Sequence, residues 1–238
     1  MNQRAEMVCV WSATVFAALA LIGFIVADYI PPMSPNLSAE EVAAILRENT
    51  LSMRFAVLLI MTSGAFMCPF AIAITMQLRR IEGGLGPYSL AQACAGSITA
   101  LIFVIASVFW TAALFRPDAP ATTIRMLNDL GWITALMTFG PFIVQNILIG
   151  LCILSDRSES PVLPRWVGYY NLWVAVSFAP GGLLTFFKTG PFAWDGLFVW
   201  WIPFVVFFSW WILMFIVIRS TVKKQIASGD NIVLTATA

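Results

Sequence analysis

The chain has 238 residues, 60% of them hydrophobic and 11% charged, with a net charge of +1 and a mean hydropathy of +0.88. A water-soluble domain carries about 25% charged residues, so this composition points to lipid as the solvent, and the balanced charge leaves no basic face for nucleic acid. The complete absence of histidine removes the commonest metal ligand, His-ligated haem and the one side chain that titrates unperturbed near neutrality.

Six charge-free runs follow one another: 7–27, 55–78, 83–115, 130–155, 166–187 and 196–218. Each exceeds the roughly 18 apolar residues needed to cross a bilayer. The first follows Arg4 but is longer than the 7–15 residues of a signal-peptide core, so it reads as a retained span. The third opens on Gly83-Gly84-Leu85-Gly86-Pro87, a turn that moves its helix start to Tyr88. The predicted fold is therefore all-α, a polytopic six-transmembrane-helix bundle forming one domain over 1–238. Its spans fall at about 7–28, 54–78, 88–115, 130–154, 165–187 and 196–218, at about 1.5 Å of helical rise per residue. A basic and polar tail occupies 219–238.

Orientation follows from the loops. With the N-terminus cytoplasmic, eight bases lie inside (Arg4, Arg79, Arg80, Arg157, Arg165, Arg219, Lys223, Lys224) and five outside (Arg47, Arg54, Arg116, Arg125, Lys188). The bias places both termini inside, in a cell membrane. Two outer connections read as short interfacial helices. Ser38 and Glu41 have the spacing of a capping box, with Val42, Ile45 and Leu46 following at helical intervals. A second short helix is predicted over 122–128, after the Pro117 and Pro120 turn.

The fourth run holds the most informative residues. Gly140-Pro141 breaks or bends a helix near its middle, and two amides, Gln145 and Asn146, follow at once. Proline lacks the N–H that the carbonyl of Met137 would accept, and an unsatisfied polar group in hydrocarbon costs several kcal/mol. Thr138 is the local candidate to answer it. Asn171 in the fifth run is a third interior amide. Pro69, Pro141 and Pro180-Gly181-Gly182 would shape a cavity around them. The candidate ligand-binding residues are thus Gln145, Asn146, Thr138 and Asn171. The competing reading makes the amides bonds between helices.

Other features read as packing. Gly96 with Ala100, and Ala93 with Ser97, fit close helix contact and place the third span centrally. The Phe and Trp excess over 198–215 reads as packing or lipid-facing surface. The cysteines Cys9, Cys68, Cys94 and Cys152 lie in apolar runs without metal-site spacing. Met61-Thr62-Ser63-Gly64-Ala65-Phe66 echoes Met137-Thr138-Phe139-Gly140-Pro141-Phe142, a candidate internal repeat.

No carboxylate or base lies deep in a span, which disfavours a proton pump, a voltage sensor or an intramembrane enzyme. No catalytic residue, metal or cofactor is expected. Three functions remain open: binding or transport of an uncharged or amphipathic hydrophobic molecule; a non-catalytic subunit that organises membrane-protein partners or copies of itself; and, least favoured by these residues, an intramembrane enzyme. The expected partners are the lipid bilayer and such a ligand.

Overall fold

The computed structural model describes residues 3–228. These residues form α1 (Gln3–Val26), α2 (Ala39–Glu48), α3 (Thr50–Glu82), α4 (Pro87–Phe115), α5 (Ala121–Met137), α6 (Gly140–Ser155), α7 (Arg165–Phe178) and α8 (Ile202–Ser228). A 3-10 segment, Ala179–Thr185, continues α7, and a turn of π-helix, Leu197–Trp201, precedes α8. Five helical stretches are long and apolar enough to cross a membrane: Gln3–Val26, Thr50–Glu82, Pro87–Phe115, the α5–α6 stretch Ala121–Ser155, and Leu197–Ser228.

The predicted fifth span differs from the others. Only 14 residues of it, Arg165–Phe178, are α-helical. Pro180 lacks an N–H, and the two glycines after it favour helix least, so the chain tightens into the 3-10 segment there. The second predicted loop helix is also different. Residues 122–128 are the first turns of α5, a 17-residue helix whose Asn128 and Trp132 are already buried. The expected tail is helical as far as Ser228; its remainder lies outside the described residues.

Local chemistry explains the helix ends. Ser38 accepts from the Glu41 N–H at 3.2 Å, while the Glu41 carboxylate accepts from the Ser38 N–H at 2.7 Å, so α2 opens on a complete capping box. The Ser38 N–H and the Ser38 hydroxyl, both donated to the Glu41 carboxylate, hold that carboxyl below its usual range. Gly83 ends α3 with φ 74°, a left-handed conformation that glycine adopts without steric cost. The Glu82 side chain then receives the N–H groups of Tyr88 and Ser89 at 3.0 and 2.9 Å, satisfying donors at the start of α4.

The long helices run up and down. At one end, Arg47 of α2 donates to the carbonyls of Pro117 and Ala119 beyond α4, Arg54 of α3 to Leu114 of α4, and Asn36 to Lys188. At the other end, Gln77 of α3 donates to Glu6 of α1 and, at 3.3 Å, to Gln225 of α8. Arg165 at the start of α7 donates there to the carbonyls of Leu154 and Asp156. Glycines set the closest approaches: a Cβ on Gly23 would meet Ile60 at 2.6 Å, and one on Gly150 would meet the Gly168 carbonyl at 2.9 Å.

Half of the most apolar stretch of α3 is buried, against 39% in each other candidate span, so the second span shares the centre with the third, α4, which packs on α3, α5 and α6. Glu6 lies inside the bundle, because α1 begins at Gln3 and packs its first turn against α3. The proposed repeat has no common conformation. Gly64 sits in an unbroken helix against the Ala100 carbonyl, whereas Gly140 opens a new helix, and a Cβ there would meet nothing within 4 Å.

Two outcomes are expected. In a cysteine-free background, a cysteine at Asp118 or Thr189 should react from one face of the membrane only, and one at Leu85 or Glu159 from the other; labelling of Thr189 and Glu159 from the same face would remove the crossing by α7. The second concerns Asp156. Burial pushes its carboxyl up, but bonds from Ser158 and Val162 and the charge of Arg165 outweigh this and hold it low. A carboxyl held low adds stability that is present above the unfolded range and is lost as pH falls through the folded value. Hydrogen exchange at the Val162 amide should therefore stay protected in mild acid, and Asp156→Asn should lose that protection at neutral pH.

Candidate functional site

The interior amides are all inside the bundle, and their bonds say what they do. Gln145 of α6 is 4% exposed and donates to Gln92 of α4 at 3.4 Å. Gln92 in turn donates to Thr75 and to the Ala71 carbonyl of α3. One chain of polar groups thus ties α3, α4 and α6 together. Gly96 makes room for it, since a Cβ there would lie 2.6 Å from the Gln145 amide nitrogen. Asn146 donates to the Phe142 carbonyl of its own helix at 2.9 Å, leaving its Oδ1 without a partner. Asn171 donates to the Val167 carbonyl at 2.8 Å and accepts from the Trp210 indole at 2.9 Å, joining α7 to α8.

Around Pro141 the helix ends and restarts. Met137 closes α5 and Gly140 opens α6, with Pro141 in the first turn, where an N–H would be unpaired anyway. Thr138 donates to the carbonyl of Thr134, one turn back, rather than to the Met137 carbonyl that the sequence singled out. The 3-10 segment of α7 packs on this break. A Cβ on Gly181 or Gly182 would lie 3.0 or 3.1 Å from the Phe139 ring, so the two glycines let that ring sit against the backbone.

Where these breaks meet lies a cavity of about 120 Å³. Phe139 and Thr138 come from the α5–α6 break, Gly181 from the 3-10 segment, and Val199 and Trp200 from the π turn. Phe24 of α1, Phe103, Ala106 and Trp110 of α4, Trp132 and Leu136 of α5, Phe142 of α6, Phe178 of α7, and Phe204 and Phe207 of α8 complete the wall. The wall contains no titratable side chain. Its hydroxyls bond to their own helices, Thr99 to the Ala95 carbonyl at 3.0 Å and Thr138 to Thr134. Thr138 is the exposed residue of the wall; the others are buried or half-buried.

Of the residues singled out from the sequence, Thr138 and Gly181 line this cavity. Gln145, Asn146, Asn171, Pro69, Pro141, Pro180 and Gly182 do not. Pro69 lies within the unbroken α3. The aromatic residues at the start of the last span, set down to packing or lipid contact, supply Trp200, Phe204 and Phe207 to the wall. Their density was the available signal. What concealed their role is that phenylalanine and tryptophan fill cores and walls alike.

The indole N–H groups of Trp110, Trp132 and Trp200 in the wall, and of Trp211 outside it, are buried without partners, as is the hydroxyl of Tyr29, whose ring packs against Trp110 and Trp132. Burial pushes the Tyr29 phenol well above its ordinary range, so it remains a hydroxyl. Leaving a buried donor unanswered costs about 1–3 kcal/mol. No three His, Cys, Asp or Glu side chains gather to hold a metal among the described residues. No family model matches the chain, and no curated protein or solved structure matches it.

The division between amides and cavity has a direct test. Gln145→Leu should remove a bond that joins helices and lower stability by about 1 kcal/mol, seen as a fall in melting temperature in detergent. Retention of any small molecule that purifies with the protein should be unchanged. Loss of that molecule at full stability would return Gln145 to the binding site.

Proposed function

We propose that this chain is a multi-pass protein of the cell membrane with six crossings and both termini cytoplasmic, and that it binds or carries an uncharged, hydrophobic or amphipathic small molecule in the aromatic cavity. The sixth crossing would be made by α7 and its 3-10 extension. In support, Arg165 bonds at the end shared with Asp156 and Lys188 at the end shared with Asn36, so the chain changes ends between them.

The observation that carries the reading is the cavity at the meeting of three interrupted helices. Packed apolar interiors leave few voids, and π turns gather at functional sites. Size narrows the ligand. A lined apolar cavity of about 150 Å³ accepts benzene, while a pocket for a drug-sized molecule takes about 300–1,000 Å³. The present volume of about 120 Å³ suits one ring or a short length of chain, with the remainder of the molecule outside. A wall without acids, bases or nucleophiles favours holding over chemistry.

The route in would be lateral. Thr138, the exposed part of the wall, lies midway along the α5–α6 stretch Ala121–Ser155 rather than in an end loop. Of the small pairs of α4, Gly96 and Ala100 are used inside, against Ala71, Gln145 and Gly64, which leaves Ala93 and the exposed Ser97 to the alternative of a scaffold.

Filling the cavity tests this. Ala106→Leu and Ala135→Leu add bulk to the wall from α4 and from α5 and should abolish retention of the co-purifying molecule, while the melting temperature in detergent holds or rises. Unchanged retention in both variants would overturn the assignment of the cavity.

A further inference from the structure

The exposed part of the cavity wall adjoins a strip of surface that ends in charge. We propose that the occupant is a single-chain amphiphile with an anionic head, its apolar chain in the aromatic cavity and its head between Arg125 of α5 and Lys188. This rests on the cavity being a binding site and takes the amphipathic among the ligands that reading allows.

Helix α5 and the 3-10 segment that continues α7 run side by side in opposite directions. Gly181 lies against the Phe139 ring, and both line the cavity. Further along, Thr185 donates to the Met137 sulfur at 3.7 Å. Further still, the charge of Lys188 acts on Asp129, as does that of Arg125 one turn away on the same helix. There the Lys188 carbonyl accepts from Asn36, at the end of the bundle.

The chemistry of this strip changes along its length. Thr138 is nine residues from Asp129, about 14 Å at helical rise. Between them the exposed residues of α5 are Leu130, Ile133 and Met137. On the other segment, Leu183, Thr185, Phe186 and Phe187 are exposed before Lys188. All but Thr185 are apolar, and its hydroxyl is bonded to the Gly182 carbonyl and to Met137. An apolar chain along this strip therefore meets apolar side chains until it reaches the cations.

Those cations are available. Arg47 and Arg54, at the same end, spend their guanidinium groups on carbonyls at and beyond the end of α4. The side chains of Arg125 and Lys188 are exposed and make no hydrogen bond or close ion pair among the described residues. Asp129 sets one carboxylate against the two, which leaves a positive charge for a ligand. The head stays at the surface, so no charge enters a cavity that has no counter-charge. A carboxylate and a phosphate monoester share this chemistry.

Palmitate, hexadecyl phosphate and hexadecanol have one chain length and differ in the head. Each is offered to the full chain in maltoside micelles at equal mole fraction, low salt and mildly alkaline pH. Occupancy is read by native mass spectrometry. Wild type should hold an anion about fivefold more tightly than the alcohol, the effect of one base near a membrane surface, and high salt should shrink that ratio. Whichever anion is held tighter names the head, and either supports the proposal. Lys188→Gln and Arg125→Gln should each lower the ratio while alcohol retention is kept, which also shows that the cavity is intact. Asp129→Asn should raise the ratio, which a loss of folding would not do. Arg116→Gln, a base at the same end that does not act on Asp129, should leave it unchanged. Ala135→Leu, in the wall, should release all three. Equal retention of anions and alcohol by wild type, or an anion preference that survives in both glutamine variants, overturns the proposal and leaves the cavity reading standing. Retention of none of the three by wild type, or of all three by Ala135→Leu, overturns the cavity reading itself.

Discussion

A helix that stops inside apolar surroundings must have its freed backbone groups answered from within the protein, because no water reaches them. That constraint organises this bundle. The α5–α6 stretch stops at Thr138, α7 tightens at Pro180, and the last long helix begins with a π turn. Each interruption packs on another, while Thr138, Thr185 and Leu197 remain exposed. Phe139 packs on Gly181 and Gly182, and Thr185 reaches the Met137 sulfur. Interrupted helices cannot pack as closely as straight ones, and the cavity is the space left between them.

The straight parts show the opposite arrangement. Along α1, α3 and α4 the contacts are made by small residues and by amides that cross from one helix to the next. Gln92, Gln145 and Thr75 form such a crossing near the turn between α3 and α4, and Gln77 with Glu6 and Gln225 forms another beside it. Bonds of this kind are individually modest, about 0.6–2 kcal/mol. Their placement still matters, since each fixes the rotation of one helix against its neighbour. A rigid frame of α1, α3 and α4 thus carries the irregular elements that surround the cavity.

Aromatic side chains then give the cavity its form. Two clusters meet there, one around Tyr29, Trp110, Trp132 and Trp200, the other around Phe16, Phe70, Trp210 and Trp211. Rings within each cluster pack mostly edge to face or tilted, as at Trp110–Trp132 and Phe142–Trp210. Edge-to-face and offset contacts follow from the ring quadrupole. Bulky, flat side chains of this kind leave walls rather than collapsing into the gap. They also bring polar edges into a place with few acceptors, which is why indole donors are left over.

Composition and the lengths of the charge-free runs determined by themselves that these helices are apolar and long enough to cross a membrane, because burial in lipid depends on transfer energy summed along the chain. The capping box at Ser38, the turn at Gly83 and the break beside Pro141 were likewise readable, since each depends on residues a few positions apart. The tertiary structure alone decided what the interior groups do. The sequence left open whether Gln145 and Asn171 bind a ligand or join helices, because their depth was visible and their partners, Gln92 and Trp210, were not; those partners stand 53 and 39 positions away. Glu6 is met by Gln77 of α3 from 71 positions on. The cavity wall draws Phe24, Trp110, Trp132 and Trp200 from distant runs, and no local pattern marks them. Local backbone chemistry is written in neighbouring residues, whereas a cavity is defined by which helix faces are left unfilled once all of them have packed.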